Sequence, residues 1–310
     1  MSAQPFRFAV QQHQSPDGPT FIEAARRIES LGYDTLHVMD HFGDQLGPLA
    51  AMTAAAAATE KLRVGSLVLD NDYRHPLVLS KELATIDLVS GGRLEVGLGA
   101  GWMDSDYHES GIPKDRAGVR IDRLEEALIV LKGLWSEEPV TFEGDHYRIS
   151  AHRGTPTPVQ RPHPPILVGG GGPRMLSIAA RQADIVGINP SLKAGVMTAG
   201  AQDTSADSVD DKVELVREAA GDRFDDLELH VMSFAVSITS KRAERTEQIA
   251  QLLSIDPESV ADSPYVLVGS PTEIADDLRR YRERWGITYY TVMGDVAERF
   301  AAVIAELTEG

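Results

Sequence analysis

Four short segments carry residue types that could do chemistry. Val38-Met39-Asp40-His41-Phe42 sets a carboxylate beside an imidazole at the end of a β-branched run. A histidine in that place serves near neutral pH as an acid, a base or a hydrogen-bond donor. The competing reading is an Asp-His pair that caps the next helix. Gly97-Leu98-Gly99-Ala100-Gly101-Trp102 ends a second run. It matches half of a dinucleotide fingerprint, but Trp102 holds the sixth position, and Met103-Asp104-Ser105-Asp106-Tyr107 does not open as a helix. Gly99 and Gly101 read instead as backbone that a flat ligand can approach closely, with Trp102 as an aromatic wall.

Gly169-Gly170-Gly171-Gly172-Pro173-Arg174 follows the strand-like Ile166-Leu167-Val168 and precedes a helical pattern. A strand, a glycine loop and a helix N-terminus together make an anion site, because free N–H groups and the helix dipole face the ligand. Four consecutive glycines are entropically costly, which favours a phosphate cradle over a plain turn. Arg174, and Lys193 after the next strand, could add charge there; solvated cations are the alternative. Asp70-Asn71-Asp72-Tyr73-Arg74-His75-Pro76 ends a further strand, and its Asn71 and His75 read equally well as mouth residues or as turn residues.

These segments need elements to position them. β-Branched runs recur at 6–11, 35–39, 62–69, 94–98, 164–168, 185–188, 229–236 and 288–292, with helical spacing between most of them. Phe21, Ala25, Ile28 and Leu31 share one helical face, and Gly32 ends that helix as a left-handed cap. Ser90-Gly91-Gly92-Arg93 and Trp285-Gly286-Ile287 repeat that punctuation. Ser270-Pro271-Thr272-Glu273 is a capping box with proline at the first helical position. Eight strand–helix repeats in one chain predict an α/β fold, a (β/α)8 TIM barrel over residues 1–310 with no interdomain linker. A small hairpin is expected over 141–149, and long insertions at 103–116, 151–162 and 192–211 belong to the mouth at the strands' C-terminal ends. Ala54–Ala58 reads as a close-packed helix and a candidate homodimer contact.

Composition narrows the partners. The chain has 310 residues, 42% hydrophobic and 25% charged, which describes an ordinary globular protein. Thirty basic against 47 acidic residues give a net charge of −17, so nucleic acid and anionic membranes are poor partners and a small molecule is the expected one. There is no cysteine, hence no disulfide, thiolate metal site or cysteine nucleophile. Nine histidines include no His-x-His pair after the first strand and no HExxH, which speaks against a metal hydrolase. The N-terminus has no basic flank or apolar run and no stretch nears 18 apolar residues, so a cytoplasmic protein is expected.

The segments in order are Gly32-Tyr33-Asp34, Asp40-His41, Arg74-His75-Pro76, Ser90-Gly91-Gly92-Arg93-Leu94, Gly97-x-Gly99-x-Gly101-Trp102, and Pro164-Pro165-Ile166-Leu167 with its glycine loop. That combination resembles the bacterial luciferase-like monooxygenase superfamily across essentially the whole chain. Within it, the chain looks most like the oxidoreductases that use the deazaflavin coenzyme F420. The resemblance implies a flavin in the barrel mouth, its phosphate on Gly169–Gly172, and a non-proline cis peptide behind the ring at Leu67–Val68. It places Asp40 and His41 beside the reactive ring, with His41 as candidate proton donor or acceptor. It leaves Trp102 and His13 to line the substrate side. In the family's sugar-phosphate dehydrogenases a glutamate acts near the Trp102 position, so the tryptophan argues against that substrate. A deazaflavin implies hydride transfer to or from a small organic substrate, and Arg174 and Lys193 would neutralise its acidic tail. The alternatives are FMN with monooxygenation and a partner reductase, or a flavin binder without turnover.

Overall fold

The computed structural model describes residues 4–12, 18–191, 201–253 and 256–308. Eight strands form the barrel: β1 (Arg7–Gln11), β2 (Thr35–Val38), β3 (Arg63–Ser66), β4 (Leu94–Gly99), β5 (Ile166–Gly170), β6 (Ile185–Ile188), β7 (Glu228–Ser233) and β8 (Ile287–Met293). Each pairs in parallel with the next, and β8 returns to β1 through Arg7↔Tyr289 to Gln11↔Met293, so the sheet closes on itself. All eight predicted strands are present and the fold is a TIM barrel. Helices at Gly18–Ser30, Pro48–Ala58, Pro76–Ser90, Ala117–Leu134, Pro173–Gln182, Ala206–Ala220, Pro271–Trp285 and Ala297–Thr308 surround it. The main core lies between strands and helices, with Phe8, Val10, Leu36, Val96, Val231 and Phe300 fully or almost fully buried there.

The punctuation read from the sequence is realised. Gly91 and Gly286 cap their helices at φ 67° and 76°, which an L side chain adopts only with strain. The Ser270 hydroxyl accepts from the Glu273 N–H while Glu273 accepts from the Ser270 N–H. The hairpin is also present, as Val140–Glu143 against Arg148–His152.

Three elements depart from expectation. The third strand does not run unbroken over 62–69: β3 stops at Ser66, Leu67–Val68 is a non-proline cis peptide, and Leu69–Asp70 forms a separate short strand on β4. The seventh stops at Ser233. Ala235–Ile238 then pairs outside the barrel with Val266–Gly269, and helices Arg242–Leu253 and Pro257–Ala261 lie between them. Asp104–Ser110, expected as loop, is a two-turn helix ended by Gly111 at φ 74°. Within the insertion expected over 192–211, residues 192–200 lie outside the described set and Ala206–Asp211 already belongs to a helix.

The barrel interior is polar. At its base the buried Glu95 carboxylate accepts from Arg7, from Arg63 Nε at 2.6 Å and from the Tyr289 hydroxyl at 2.9 Å. Burial alone would push that carboxyl up, but Arg7 and Arg63 outweigh it and hold it near 2. Above lie His37, His230 and Thr291, joined by hydrogen bonds, with Ala9, Leu167, Ile185 and Tyr289 as the apolar part of the interior.

Candidate active site at the C-terminal mouth

His41 sits three residues beyond the end of β2, on the mouth side. Its Nδ1 is 2.6 Å from Asp106 Oδ2, and its ring meets the Trp102 ring edge-on, with centroids 5.6 Å apart. Asp106 is buried, lies in the first turn of the Asp104–Ser110 helix, and also accepts from the Tyr73 hydroxyl at 3.3 Å. A carboxylate on Nδ1 fixes the imidazole's orientation and favours the Nδ1–H tautomer, which leaves Nε2 as the working nitrogen.

The carboxylate next door does other work. Asp40 accepts both terminal nitrogens of Arg74, with Nη2 at 2.9 Å from Oδ1, and the Asp70 N–H at 3.0 Å. It has no recorded bond to His41. A part-buried, bidentate arginine pair is a strong and geometrically specific contact. Asp40 therefore locks the turn after Leu69–Asp70 against the end of β2, and the acid–base pair read as Asp40-His41 is Asp106-His41 in space.

Behind this pair is a second carboxylate cluster. Asp70 caps the Asn71–Tyr73 turn and accepts from the Tyr107 hydroxyl at 3.1 Å, while Tyr107 also reaches Asp72 at 2.9 Å. Burial first, then the charges of Asp72 and Asp40, push the Asp70 carboxyl up to about 6. Arg123 neutralises Asp72 at 2.6 Å. Arg120 binds the carbonyls of Ala100 and Gly101 at 3.0 and 3.2 Å, and so fixes the glycine segment that carries Trp102.

The glycines of that segment make room for protein. A Cβ at Gly97 would lie 1.9 Å from the Ser66 carbonyl oxygen, at Gly99 2.7 Å from Val68 Cγ2, and at Gly101 1.9 Å from the Tyr107 hydroxyl. The chain at 66–70 thus approaches β4 more closely than any side chain allows. The structure brings Val68, Gly97 and Gly99 together and sets Gly101 against Asp70 and Tyr107.

Of the four-glycine run, Gly169 and Gly170 continue β5, paired with Gly187 and Ile188. Only Gly171 and Gly172 form the turn into the ten-residue helix Pro173–Gln182. Gly172 is the N-cap, so no side chain caps the first turn, and that turn holds no acidic residue. Nothing lies within 4 Å of a Cβ built on Gly172, whereas at Gly171 it would meet the Pro190 backbone at 2.5 Å. An uncapped helix N-terminus facing open space suits an anion. Arg174 does not point there: it pairs with Asp122 and donates to the Gly118 carbonyl at 3.2 Å, half exposed.

His13 and Lys193 lie outside the described residues. Asn71 donates to the Tyr147 hydroxyl at 3.2 Å, and His75 caps the Pro76–Ser90 helix by accepting from the Leu77 N–H at 3.2 Å, so both tie the hairpin and helix together. A mostly apolar cavity of about 780 Å³ opens at the ends of β7 and β8, lined by Ser233, Phe234, Val236, Ile249, Met293 and Val296. Among the described residues no group of three His, Asp or Glu is placed to hold a metal ion, and no helix is long and apolar enough to cross a membrane.

Comparison with known proteins agrees with this layout. An FMNH2-dependent dimethylsulfone monooxygenase of Pseudomonas putida is 28% identical over 263 residues, 81% of this chain and 69% of that protein. An F420-dependent glucose-6-phosphate dehydrogenase of Amycolatopsis mediterranei is 26% identical over 287 residues, 84% of each chain. The coenzyme F420-dependent tetrahydromethanopterin reductase of Methanopyrus kandleri has the same fold, with a TM-score of 0.76 over 98% of both chains at 19% identity. The family model of the luciferase-like monooxygenases matches residues 1–289, and the chain belongs to that family.

Proposed function

We propose that the chain is an F420-dependent oxidoreductase that moves a hydride between the deazaflavin and a small organic substrate. The observation that carries it is His41, held by buried Asp106 and backed by Trp102, at the same C-terminal mouth as the open N-terminus of the Pro173–Gln182 helix. That mouth offers both a proton-handling group and a phosphate cradle. The relative named for F420 matches 84% of each chain, whereas the FMNH2-dependent relative matches 81% of this chain and 69% of its own.

The described residues fit such a cofactor. The turn Gly171–Gly172 that ends the glycine run would hold its phosphate, and Leu67 and Val68, with Gly99 and Gly101 behind them, would form the wall for its ring. Arg174 and Lys193 would meet its acidic tail; the Arg174–Asp122 pair is exposed, and exposed ion pairs contribute little and exchange readily. When bound, a deazaflavin supplies a carbon centre that accepts or gives a hydride without activating oxygen. The protein's part is to position and to manage the proton. His41 gives or takes the companion proton at Nε2, Asp106 keeps that nitrogen turned to the site, Asp40 holds the wall segment through Arg74, and Trp102 lines the substrate side. The apolar cavity at β7–β8 has room for a small organic molecule.

Fluorescence titration with F420 and with FMN decides between the cofactors. F420 should bind saturably in the low-micromolar range or tighter, roughly −8 kcal/mol, and reduced F420 should turn over with a member of a panel of activated enones and imines. Saturable FMN binding without F420 binding would overturn the proposal in favour of a monooxygenase with a partner reductase, which the Pseudomonas putida relative favours. Cofactor binding with no turnover across the panel would favour a non-catalytic binder.

A further inference from the structure

The polar chain inside the barrel has a direction, and it can be read bond by bond. Glu95 lies between Arg7 and Arg63 and accepts from both. Tyr289 is 2.9 Å from Glu95 Oε2 and 3.2 Å from His37 Nε2, and its single proton goes to the shorter contact, which is also the charged one. The phenol oxygen then accepts from His37 Nε2–H. Burial keeps the His37 ring neutral, with its pKa held down to about 4. Its Nδ1 is therefore bare and accepts the Thr291 hydroxyl proton at 3.1 Å. Thr291 Oγ1, with that proton used, accepts from His230 Nε2–H at 2.7 Å. His230 is fully buried, and its Nδ1 has no partner.

We propose that the Glu95 carboxylate, acting through Tyr289, His37 and Thr291, sets the tautomer of His230, with the proton on Nε2 and Nδ1 bare.

Ring 15N spectra of the whole protein at neutral pH test this, with His37 and His230 assigned by comparison with His37→Gln and His230→Gln. Both rings should show a protonated Nε2 and a bare Nδ1; an Nδ1–H on either would overturn the direction of the chain. Thr291→Val should leave His230 as a mixture of tautomers while Thr291→Ser keeps the single form. An unchanged His230 spectrum in the valine variant would show that the chain does not set it.

Discussion

At the scale of single residues, the imidazole at position 41 depends on a carboxylate that is 65 positions away in sequence. His41→Ala should leave cofactor affinity near wild type and lower turnover by roughly 10²–10⁴-fold, as for a positioned acid or base. Loss of cofactor binding would make it a binding residue instead. Asp106→Asn keeps the shape and removes the charge. It should lower kcat with little change in KM, by roughly 10–100-fold if a charge-assisted bond of about 1.5–3 kcal/mol is lost. Steady-state kinetics on both variants separate the roles. Asp70 gives a prediction in pH. Its folded carboxyl titrates near 6 against about 3.9 in an unfolded chain. The folded state thus holds that proton more tightly, and Asp70 costs stability as pH rises from about 4 through 6, with the cost persisting above. In urea unfolding, Asp70→Asn should gain on wild type across that window by up to roughly 3 kcal/mol. A difference that stays constant from pH 4 to 7.5 would refute the assignment.

At the scale of elements, the turn into Pro173–Gln182 offers a clean probe. A side chain at Gly171 would strike the Pro190 backbone, so a variant there confounds folding with binding, whereas Gly172 has open space and an ordinary φ of −91°. Gly172→Asp places a favourable N-cap residue on the helix and a negative charge where the phosphate is proposed. Its melting temperature should hold or rise while cofactor affinity falls by at least about tenfold, some 1.4 kcal/mol. Gly172→Ser should bind much as wild type does. Both readouts come from one fluorescence titration and one melt. These elements also show what was legible in the sequence. All eight barrel strands were, because each is a β-branched run bounded by glycine, proline or polar residues. The Asp104–Ser110 helix was not, since seven residues with Tyr107 as the one buried apolar side chain carry no periodic signal. The break after Ser66 and the outer pair Ala235–Ile238 with Val266–Gly269 were hidden for the opposite reason: the apolar pattern runs straight through each bend. Among the candidate-site residues, His41 and Trp102 stood out by lying at strand ends. Asp106 and the Arg74 grip on Asp40 belong to pairings that only the closed barrel creates.

At the scale of the whole molecule, the barrel is stabilised by an aliphatic shell outside and an ionic plug inside. The plug predicts how the protein responds to acid. Glu95 holds its proton less tightly folded than unfolded, so its contribution is complete above the usual carboxylate range and is lost as pH falls toward 2. His37 is kept neutral by burial, so stability also declines as pH falls from about 6.5 to 4. Between about 6.5 and 4, His37 and His230, both kept neutral by burial, lose stability as pH falls while Asp70 regains it, so His37→Gln should flatten the decline in urea midpoint there only in part. Glu95→Gln leaves two part-buried arginines facing an amide and should cost about 3 kcal/mol, the low end for a broken buried pair, read as a lower midpoint at pH 7.

The seam between β3 and β4 bears on how the ring comes apart. Only Val64↔Leu94 and Gly65↔Glu95 pair there before the chain bends away. Beyond them the Ser66 hydroxyl bridges the gap, donating to the Gly97 carbonyl at 2.9 Å and accepting the Gly97 N–H at 3.0 Å. A closed barrel has no edge strand to offer a neighbouring molecule, and this side chain spans the break before Leu69–Asp70 resumes the pairing on Leu98 and Gly99. The Gly97 amide should consequently lose its protection from deuterium exchange in Ser66→Ala while the Val96 amide, bound to the Pro165 carbonyl at 2.8 Å, keeps its own. Concentrated solutions of that variant are where self-association through a newly freed strand margin should first appear.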